Sequence, residues 1–168
     1  MITRTAVSPR VSWAPYDAEE VRTLYDDYAS ALDASDYEAW LELFTEDATY
    51  TVTGRENVER GLPLCLIRCD SRDMLSDRID ALCSTQYFAR RFTRHMVTAV
   101  RPTAHADDAL ETTANFVVVE TIVDEVSQVS AAGAYADRIV TTPDGLRFRQ
   151  KSAVFDSSLI QTSLIVPL

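Results

Sequence analysis

The side chains of this sequence best suited to moving protons near neutral pH are its two histidines, His95 and His105. Paired with Asp33, Asp36 or Asp77, His95 could serve a cofactor-free enzyme as part of a general acid and base dyad. His95 also stands at the start of a strand-like run, where an imidazole can simply satisfy a buried hydrogen bond. Both interpretations stay open, and the structural one is favoured.

The segment "DSRDMLSDRIDAL", residues 70–82, concentrates charge on one short helix. Asp70 or Ser71 can cap this helix, and its apolar stripe consists of Leu75, Ile79 and Leu82. Asp77 and Arg78 are neighbours, so they point about 100° apart and cannot face one substrate together. Arg78 is expected to lay its stem on the core, and Asp77 to reach another strand or subunit. Both are candidates for structural or subunit-interface roles.

The cysteines, Cys65, Cys69 and Cys83, are odd in number and form no C-x-x-C pair. This pattern indicates that the cysteines are small buried hydrophobic residues rather than members of a disulfide framework or a zinc site.

Four aromatic residues recur at helical spacing, which indicates that they lie in the core rather than line a ligand pocket: Tyr25, Tyr28, Trp40 and Phe44. Three basic residues alternate with Leu146 and Phe148 and are therefore predicted to point outward from a strand: Arg147, Arg149 and Lys151. This outward face could be exposed to solvent, or it could bind an acidic partner.

The order of predicted elements places helices first and strands afterwards. Helices are predicted at about 17–34, 36–44 and 70–82, and strands at 48–54, 94–100, 111–123, 128–142 and 146–156. Residues 55–70 are predicted to be irregular, "TAHADD" around His105 to be a loop, and "PDG" at 143–145 to be a turn. This layout predicts an α+β fold in which a curved, mainly antiparallel sheet wraps the N-terminal helices as a cone. We expect an arm over 1–15 and a single domain over 16–168.

The net charge of −10 comes from 26 acidic and 16 basic residues, so a nucleic acid is not an expected partner. The sequence contains no apolar run of about 18 residues, the length needed to predict a membrane span. The segment "MITRTAVSPRVSW" also lacks the apolar stretch of a secretory signal. A cytoplasmic protein is expected. The apolar ending should be buried in its own sheet or against another subunit: Leu164, Ile165, Val166 and Leu168.

Four segments carry a family resemblance: "YTVTGRENVERGLPLCL", "DSRDMLSDRIDAL", "FTRHMV" and "FDSSLIQTSLIVPL". In this order they resemble the small (β) subunits of Rieske-type aromatic-ring-hydroxylating oxygenases. "RENVERGLPLCL" is similar to small subunits of salicylate-hydroxylating members of the salicylate 5-hydroxylase type, and "DML-DR" and "RH" to those of terephthalate dioxygenases. Arg94, His95 and Asp156 lie in these segments and join the structural or interface candidates.

The resemblance implies a cone like nuclear transport factor 2 and a mainly structural subunit, with no catalytic, cofactor-binding or metal-binding residue in this chain. It implies a large (α) subunit, usually three of each, that carries a [2Fe–2S] cluster and mononuclear Fe(II). Electrons would come from NADH through a reductase or ferredoxin docking on the complex. The complex would use O2 to hydroxylate an aromatic carboxylate of the salicylate or terephthalate type, as a mono- or dioxygenase.

Counting ligands agrees with this expectation. A Rieske cluster takes two cysteines and two histidines, and a mononuclear site takes two histidines and a carboxylate. Two histidines cannot serve both sites, and neither follows a cysteine at C-x-H spacing. The alternatives are a stand-alone cone-fold dehydratase or isomerase that uses the Asp–His dyad, and a plain ligand-binding module.

Overall fold

A computed structural model describes residues 11–84, 89–157, 159 and 166–168. The helices are α1 (Ala18–Ala34), α2 (Tyr37–Leu41), α3 (Arg55–Glu59) and α4 (Arg72–Ser84). The strands are β1 (Phe44–Gly54), β2 (Ile67–Cys69), β3 (Arg91–Ala106), β4 (Ala109–Ile122), β5 (Gln128–Thr142) and β6 (Gly145–Phe155). Helices precede most of the sheet, as the sequence predicts.

The strands form one six-stranded sheet in the order β2-β1-β6-β5-β4-β3. The pairing of β1 with β6 is parallel, and the other neighbours are antiparallel. Irregularities in register occur in the β1–β6, β3–β4, β4–β5 and β5–β6 pairings, and such bulges bend strands and increase their twist. The curved sheet wraps α1, which packs on β3, and α4, which packs on β1. The α+β cone is confirmed.

Helix α1 forms where the sequence predicts it. The Asp17 carboxylate accepts hydrogen bonds from the main-chain N–H groups of Glu19 and Glu20, which satisfies two donors at the helix start. Ser35 ends the helix in the left-handed conformation, with φ of 57°. The buried face is apolar or aromatic: Val21, Leu24, Tyr25, Tyr28, Ala31 and Leu32.

Helix α4 begins after Ser71, whose hydroxyl accepts a hydrogen bond from the N–H of Met74. Its predicted stripe is confirmed, since Leu75, Ile79 and Leu82 are buried. Three boundaries were wrong. The segment 36–44 is helical only over Tyr37–Leu41, and 55–70 contains both α3 and β2. The stretch around His105 is the end of β3, paired with the start of β4, because the hairpin turn is tighter than the polar composition indicates.

The prediction for Lys151 was also wrong, because a bulge in β6 reverses the alternation. Arg138 of β5 pairs with Gln150, but Ile139 pairs with Phe148, so Arg149 is an extra residue. Phe148 and Lys151 therefore both point inward, and Lys151 is fully buried. Arg149 forms an ion pair with Asp108, at 2.6 Å between Nη1 and Oδ1. The basic alternation is thus not one outward face.

The core is a cluster of aromatic rings between α1, α2 and the sheet. All four predicted core aromatics, Tyr25, Tyr28, Trp40 and Phe44, are buried, as expected. They meet three further rings that the sheet contributes, Tyr50, Tyr135 and Phe148, and Tyr135 in turn stacks on Phe116. Trp13 packs against this core from the predicted arm, whose residues 1–10 lie outside the described residues, so the domain boundary stays a prediction. Of the helices in the described part of the chain, none is both long and apolar enough to cross a membrane.

Candidate functional site

The interior of the cone contains a buried ion pair between Lys151 of β6 and Asp137 of β5. The Lys151 Nζ lies 2.9 Å from Asp137 Oδ2, and both side chains are fully buried. The same carboxylate accepts hydrogen bonds from the Tyr25 hydroxyl, at 2.5 Å, and from the N–H of Ser152, at 3.1 Å. Thr112 completes the network, with its hydroxyl 2.9 Å from that of Tyr25. Because both carboxylate oxygens have partners, the charge is stabilised without solvent.

Aromatic rings enclose the Lys151 ammonium. Its Nζ lies 3.1 Å from the ring centroid of Tyr135 and less than 5 Å from those of Tyr25, Tyr28 and Phe148. Burial lowers the pKa of Lys151 to about 8, although the Asp137 carboxylate opposes that shift. Burial also raises the pKa of Asp137, against the lowering effect of Lys151. This chemistry resembles an acid–base site, but Lys151, Asp137 and the rings around them are buried and have almost no surface accessible to solvent.

A second pair joins α1 to the edge strand β3. His95 Nδ1 lies 2.7 Å from Asp33 Oδ1, and the main-chain N–H of His95 donates to both oxygens of Asp33, at 3.0 and 3.1 Å. Of the three aspartates considered from the sequence, Asp33 is therefore the partner. Asp36 instead caps α2 through the N–H of Ala39, and Asp77 is exposed on α4.

The Asp33–His95 pair has the geometry of a dyad but lacks access to a substrate. The His95 side chain is 0% exposed, and its Nε2 has no hydrogen-bond partner among the described residues. Asp33 is 18% exposed and lines a groove of about 450 Å³ with Tyr37, Arg90 and Phe92, but His95 is not among the lining residues. Because β3 is an edge strand, Asp33 satisfies a main-chain donor that no neighbouring strand pairs. The pair fastens α1 to the sheet.

The segment 166–168 enters the core. Leu168 is buried, and its N–H donates to the Tyr50 hydroxyl at 2.9 Å. The hydroxyls of Tyr28 and Tyr50 lie 2.5 and 3.1 Å from the Leu168 carbonyl oxygen. Burial raises the pKa of Tyr50 to about 12, against the lowering effect of the nearby Arg78. The predicted burial of the apolar ending holds for Leu168 and partly for Val166, and Leu164 and Ile165 lie outside the described residues.

The other predicted interface residues occupy different places. Arg78 is half-buried and close enough to Cys69 and Tyr50 to lower their pKa values, which fits a guanidinium at the edge of the core. Arg94 is exposed on the outer side of β3, and Asp156 pairs with Arg55 at the surface, with Nε 2.9 Å from Oδ1. Their subunit-interface roles stay predictions.

No three histidine, cysteine or acidic side chains are grouped to hold a metal ion within the part of the chain that the structure describes. Cys69 is buried, as expected, but Cys65 and Cys83 are exposed, so the prediction of buried hydrophobes was wrong for these two. The donors that a Rieske cluster or mononuclear iron needs are therefore not brought together by the described residues.

The outer side of the sheet carries an uncharged surface over four strands. We call it the outer sheet face; it consists of Met96, Thr98, Thr113, Asn115, Val117, Ala132, Ala134, Ala136, Ser152 and Val154. The register aligns Met96, Val117 and Ala132, and likewise Thr98, Asn115, Ala134 and Val154. Each is at least partly exposed. In a chain with net charge −10, a ten-residue surface without charge is typical of a protein interface.

Sequence reasoning missed Asp137 and Tyr135, and it placed Lys151 on the wrong side. The alternation of "GAYADRIV" does put Tyr135, Asp137 and Ile139 on one face of β5, which is a usable signal for a buried acid. A buried carboxylate that keeps its charge needs a cation or hydrogen-bond donors beside it, and Lys151 supplies the cation here.

Comparison with known proteins identifies the family to which this cone-shaped chain belongs. The model of the ring hydroxylating beta subunit family matches residues 28–162. The chain belongs to this family. It is therefore a beta subunit, one component of an aromatic-ring-hydroxylating dioxygenase complex.

Two curated relatives are similar over most of their length. This beta subunit is 38% identical over 149 residues to the anthranilate 1,2-dioxygenase small subunit of Burkholderia cepacia, covering 89% of this chain and 92% of that one. It is 34% identical over 143 residues to the terephthalate 1,2-dioxygenase terminal oxygenase component subunit beta 2 of Comamonas sp, covering 84% and 92%. The predicted resemblance is confirmed at the level of the family.

Solved structures agree with the fold. A Novosphingobium aromaticivorans chain assigned as the beta subunit of an aromatic-ring-hydroxylating dioxygenase superposes with a TM-score of 0.80 at 31% identity, covering 89% of this chain and 95% of that one. A chain from the same organism assigned as a scytalone dehydratase superposes with a TM-score of 0.67 at 15% identity, covering 89% and 90%. The second likeness concerns the fold alone, a cone of the nuclear-transport-factor-2 type.

Proposed function

We propose that this beta subunit belongs to a Rieske non-haem iron oxygenase that hydroxylates an aromatic carboxylate. The observation that carries the proposal is the similarity to subunits of two dioxygenases named for anthranilate and terephthalate, both of which are aromatic carboxylates. Salicylate, predicted from "RENVERGLPLCL", belongs to the same chemical class. The large subunit supplies the [2Fe–2S] cluster and the mononuclear Fe(II), and electrons come from NADH through a docking reductase or ferredoxin.

This chain contributes rigidity rather than a reacting group. The interior is filled by aromatic rings and by the pairing of Lys151 with Asp137, and the main-chain groups of Leu168 are hydrogen-bonded inside it. A packed interior transmits the position of one surface to another with little deformation. Such a subunit suits holding large subunits at fixed separation.

The assembly is proposed to contain three copies of each subunit. The outer sheet face supports contact between copies, because an uncharged surface lets two chains of net charge −10 meet without placing like charges in direct contact. Strand spacing of about 4.8 Å makes the four-strand surface roughly 15 Å wide, a size suited to the desolvated centre of an interface. The complex is proposed to be cytoplasmic, in keeping with its acidic composition.

The test is to co-express this chain with its large subunit and to purify the complex. Supplied with reductase and NADH, the complex should consume anthranilate, salicylate or terephthalate much faster than naphthalene, which lacks a carboxylate. Native mass spectrometry should give three copies of each chain. Equal turnover of naphthalene and of the carboxylates would contradict the proposed substrate class.

A further inference from the structure

The connection between α3 and β2 exposes three leucines within five residues. Leu62, Leu64 and Leu66 retain 43%, 59% and 50% of their accessible surface. A chain covers at most about 3.6 Å per residue, so their Cα atoms lie within roughly 14 Å of one another. We call residues 61–66 the leucine loop. Isolated exposed leucines are common, but a concentration of this kind is typical of an interaction surface.

Hydrogen bonds fix the main chain of the leucine loop. The Leu62 N–H donates to the Asn57 carbonyl at 2.8 Å, and the Leu66 N–H donates to a carbonyl of β1, also at 2.8 Å. The Leu64 carbonyl accepts from the Thr53 hydroxyl at 2.7 Å and from the Asn57 amide at 3.2 Å. The apolar side chains are therefore held at the surface by their own backbone, so little conformational entropy is lost when a partner binds.

Exposed ion pairs surround the leucine loop. Arg60 pairs with Glu56 just before it, Arg68 pairs with Asp70 just after it, and Arg55 pairs with Asp156 at the start of the preceding helix α3. Exposed pairs of this kind add little to folding stability. An apolar centre with a polar rim that contains arginines is the usual composition of a protein–protein interface.

Leucines that project from a loop require an apolar groove in the partner. Two described grooves of this chain are rich in acidic residues: one of about 750 Å³ is lined by Asp17, Glu19, Glu20, Asp27 and Asp144 together with Arg147, and one of about 450 Å³ by Asp36, Glu38 and Asp80. The groove at Asp33 also contains Arg90 and Arg91. A leucine seated in any of these three would remove charged groups from water, which is unfavourable. Among these three grooves, a second copy of this chain therefore offers no uncharged seat for the loop.

We infer that the leucine loop docks on the large oxygenase subunit, in an apolar groove of that subunit. The inference rests on the proposed function, because it takes the large subunit as the partner. It assigns the two surfaces to different partners, with the leucine loop on the large subunit and the outer sheet face left for copies of this chain.

The first test compares Leu64→Glu with Val126→Glu in co-expression with a tagged large subunit. Val126 is a matched control, since it is 85% exposed and lies in the β4–β5 connection, far from β2 in the strand order. Leu64→Glu should lower the yield of co-purified beta subunit about tenfold or more, and Val126→Glu should leave it unchanged. Equal recovery of both variants with wild type, or equal loss of both, would overturn the inference.

The isolated variants separate the possible partners. Leu64→Glu alone should keep the wild-type circular dichroism and sedimentation coefficient, because the side chain is at the surface. A change in the oligomeric state of the isolated chain would identify a second copy as the occupant and overturn the inference. Failure of the wild-type chain to bind the large subunit would overturn the proposed function, and this inference with it.

Cysteine alkylation of the wild-type protein tests the same inference without depending on the folding of a variant. Cys65 is exposed within the leucine loop, and Cys83 is exposed on α4, outside the loop. Peptide-resolved mass spectrometry of alkylation by N-ethylmaleimide should show Cys65 reacting about tenfold more slowly in the complex than in the isolated chain. Unchanged reactivity of Cys65 in a complex shown to contain both subunits would overturn the inference, and Cys83 in the same sample reports general changes in reactivity.

Discussion

Two acid–base pairs lie on the inner side of the same sheet, and their surroundings differ. The pair of Lys151 and Asp137 is enclosed by aromatic rings, and both side chains are fully buried. The pair of His95 and Asp33 lies at the edge strand, where Asp33 borders a groove. Each has residue types that enzymes use, but of the four side chains only Asp33 lines a described groove, and the imidazole of its partner His95 does not line it. The two pairs therefore differ in which helices and strands they connect.

The enclosed pair joins two neighbouring strands to α1, because Tyr25 also binds Asp137. The edge pair joins the end of α1 to β3. We therefore expect loss of the enclosed pair to affect the whole fold, and loss of the edge pair to affect one attachment. Variants of the two pairs test this comparison directly.

The largest effect is expected when the charge balance of the enclosed pair is broken. Asp137→Leu leaves the Lys151 ammonium buried without a counterion and should lower the free energy of unfolding at pH 7 by about 3–5 kcal/mol. The double variant Asp137→Leu/Lys151→Met removes both charges and should recover most of that loss. Urea unfolding of the isolated chains measures both. A double variant no more stable than the single one would show that the lost interactions, rather than the unpaired charge, dominate.

The pH dependence of stability should show the same pair. The folded-state pKa of Lys151 is about 8, below its usual 10.5, so the unfolded chain binds more protons between these two values. The free energy of unfolding of wild type should therefore rise with pH in this window, relative to the double variant. Between pH 8 and 9.5 we expect a relative gain of about 2 kcal/mol or less. Parallel pH profiles would contradict the burial effect on Lys151.

The hydroxyls that bind Leu168 should give a smaller effect. Tyr28→Phe or Tyr50→Phe leaves a buried main-chain group of Leu168 with one partner fewer, and should lower the free energy of unfolding by about 1–2 kcal/mol. Tyr135→Phe is the matched control, because its buried hydroxyl has no partner among the described residues. That control should be close to neutral. If all three changes cost the same, the hydrogen bonds to Leu168 do not matter for stability.

Local periodicity explains which parts of this structure could be predicted. Helices α1 and α4 each bury a regular stripe, so their positions follow from the sequence. Helix α3 has five residues, too few for a periodic pattern. The inward turn of Lys151 depends on a bulge at Arg149, which the alternation of β6 does not reveal. The choice of Asp33 as the partner of His95 depends on a contact across 62 positions, so it requires the packing of α1 on β3.

The smallest effect is expected at the edge pair. Asp33 also accepts the main-chain N–H of His95, and this bond survives when the imidazole is replaced. His95→Gln should therefore lower the free energy of unfolding by only about 1 kcal/mol, with turnover per intact complex near wild type. Asp33→Ala removes both contacts and should cost more stability than His95→Gln.

Measuring turnover distinguishes a structural role of the Asp33–His95 pair from a catalytic one. If His95 only attaches α1 to β3, the two variants reduce the amount of assembled complex in proportion to their stability loss. Turnover normalised to the large subunit in the intact complex should then be unchanged for both. A selective fall in normalised turnover for His95→Gln, with full assembly, would show that the edge pair acts in the reaction and that its difference from the enclosed pair is chemical.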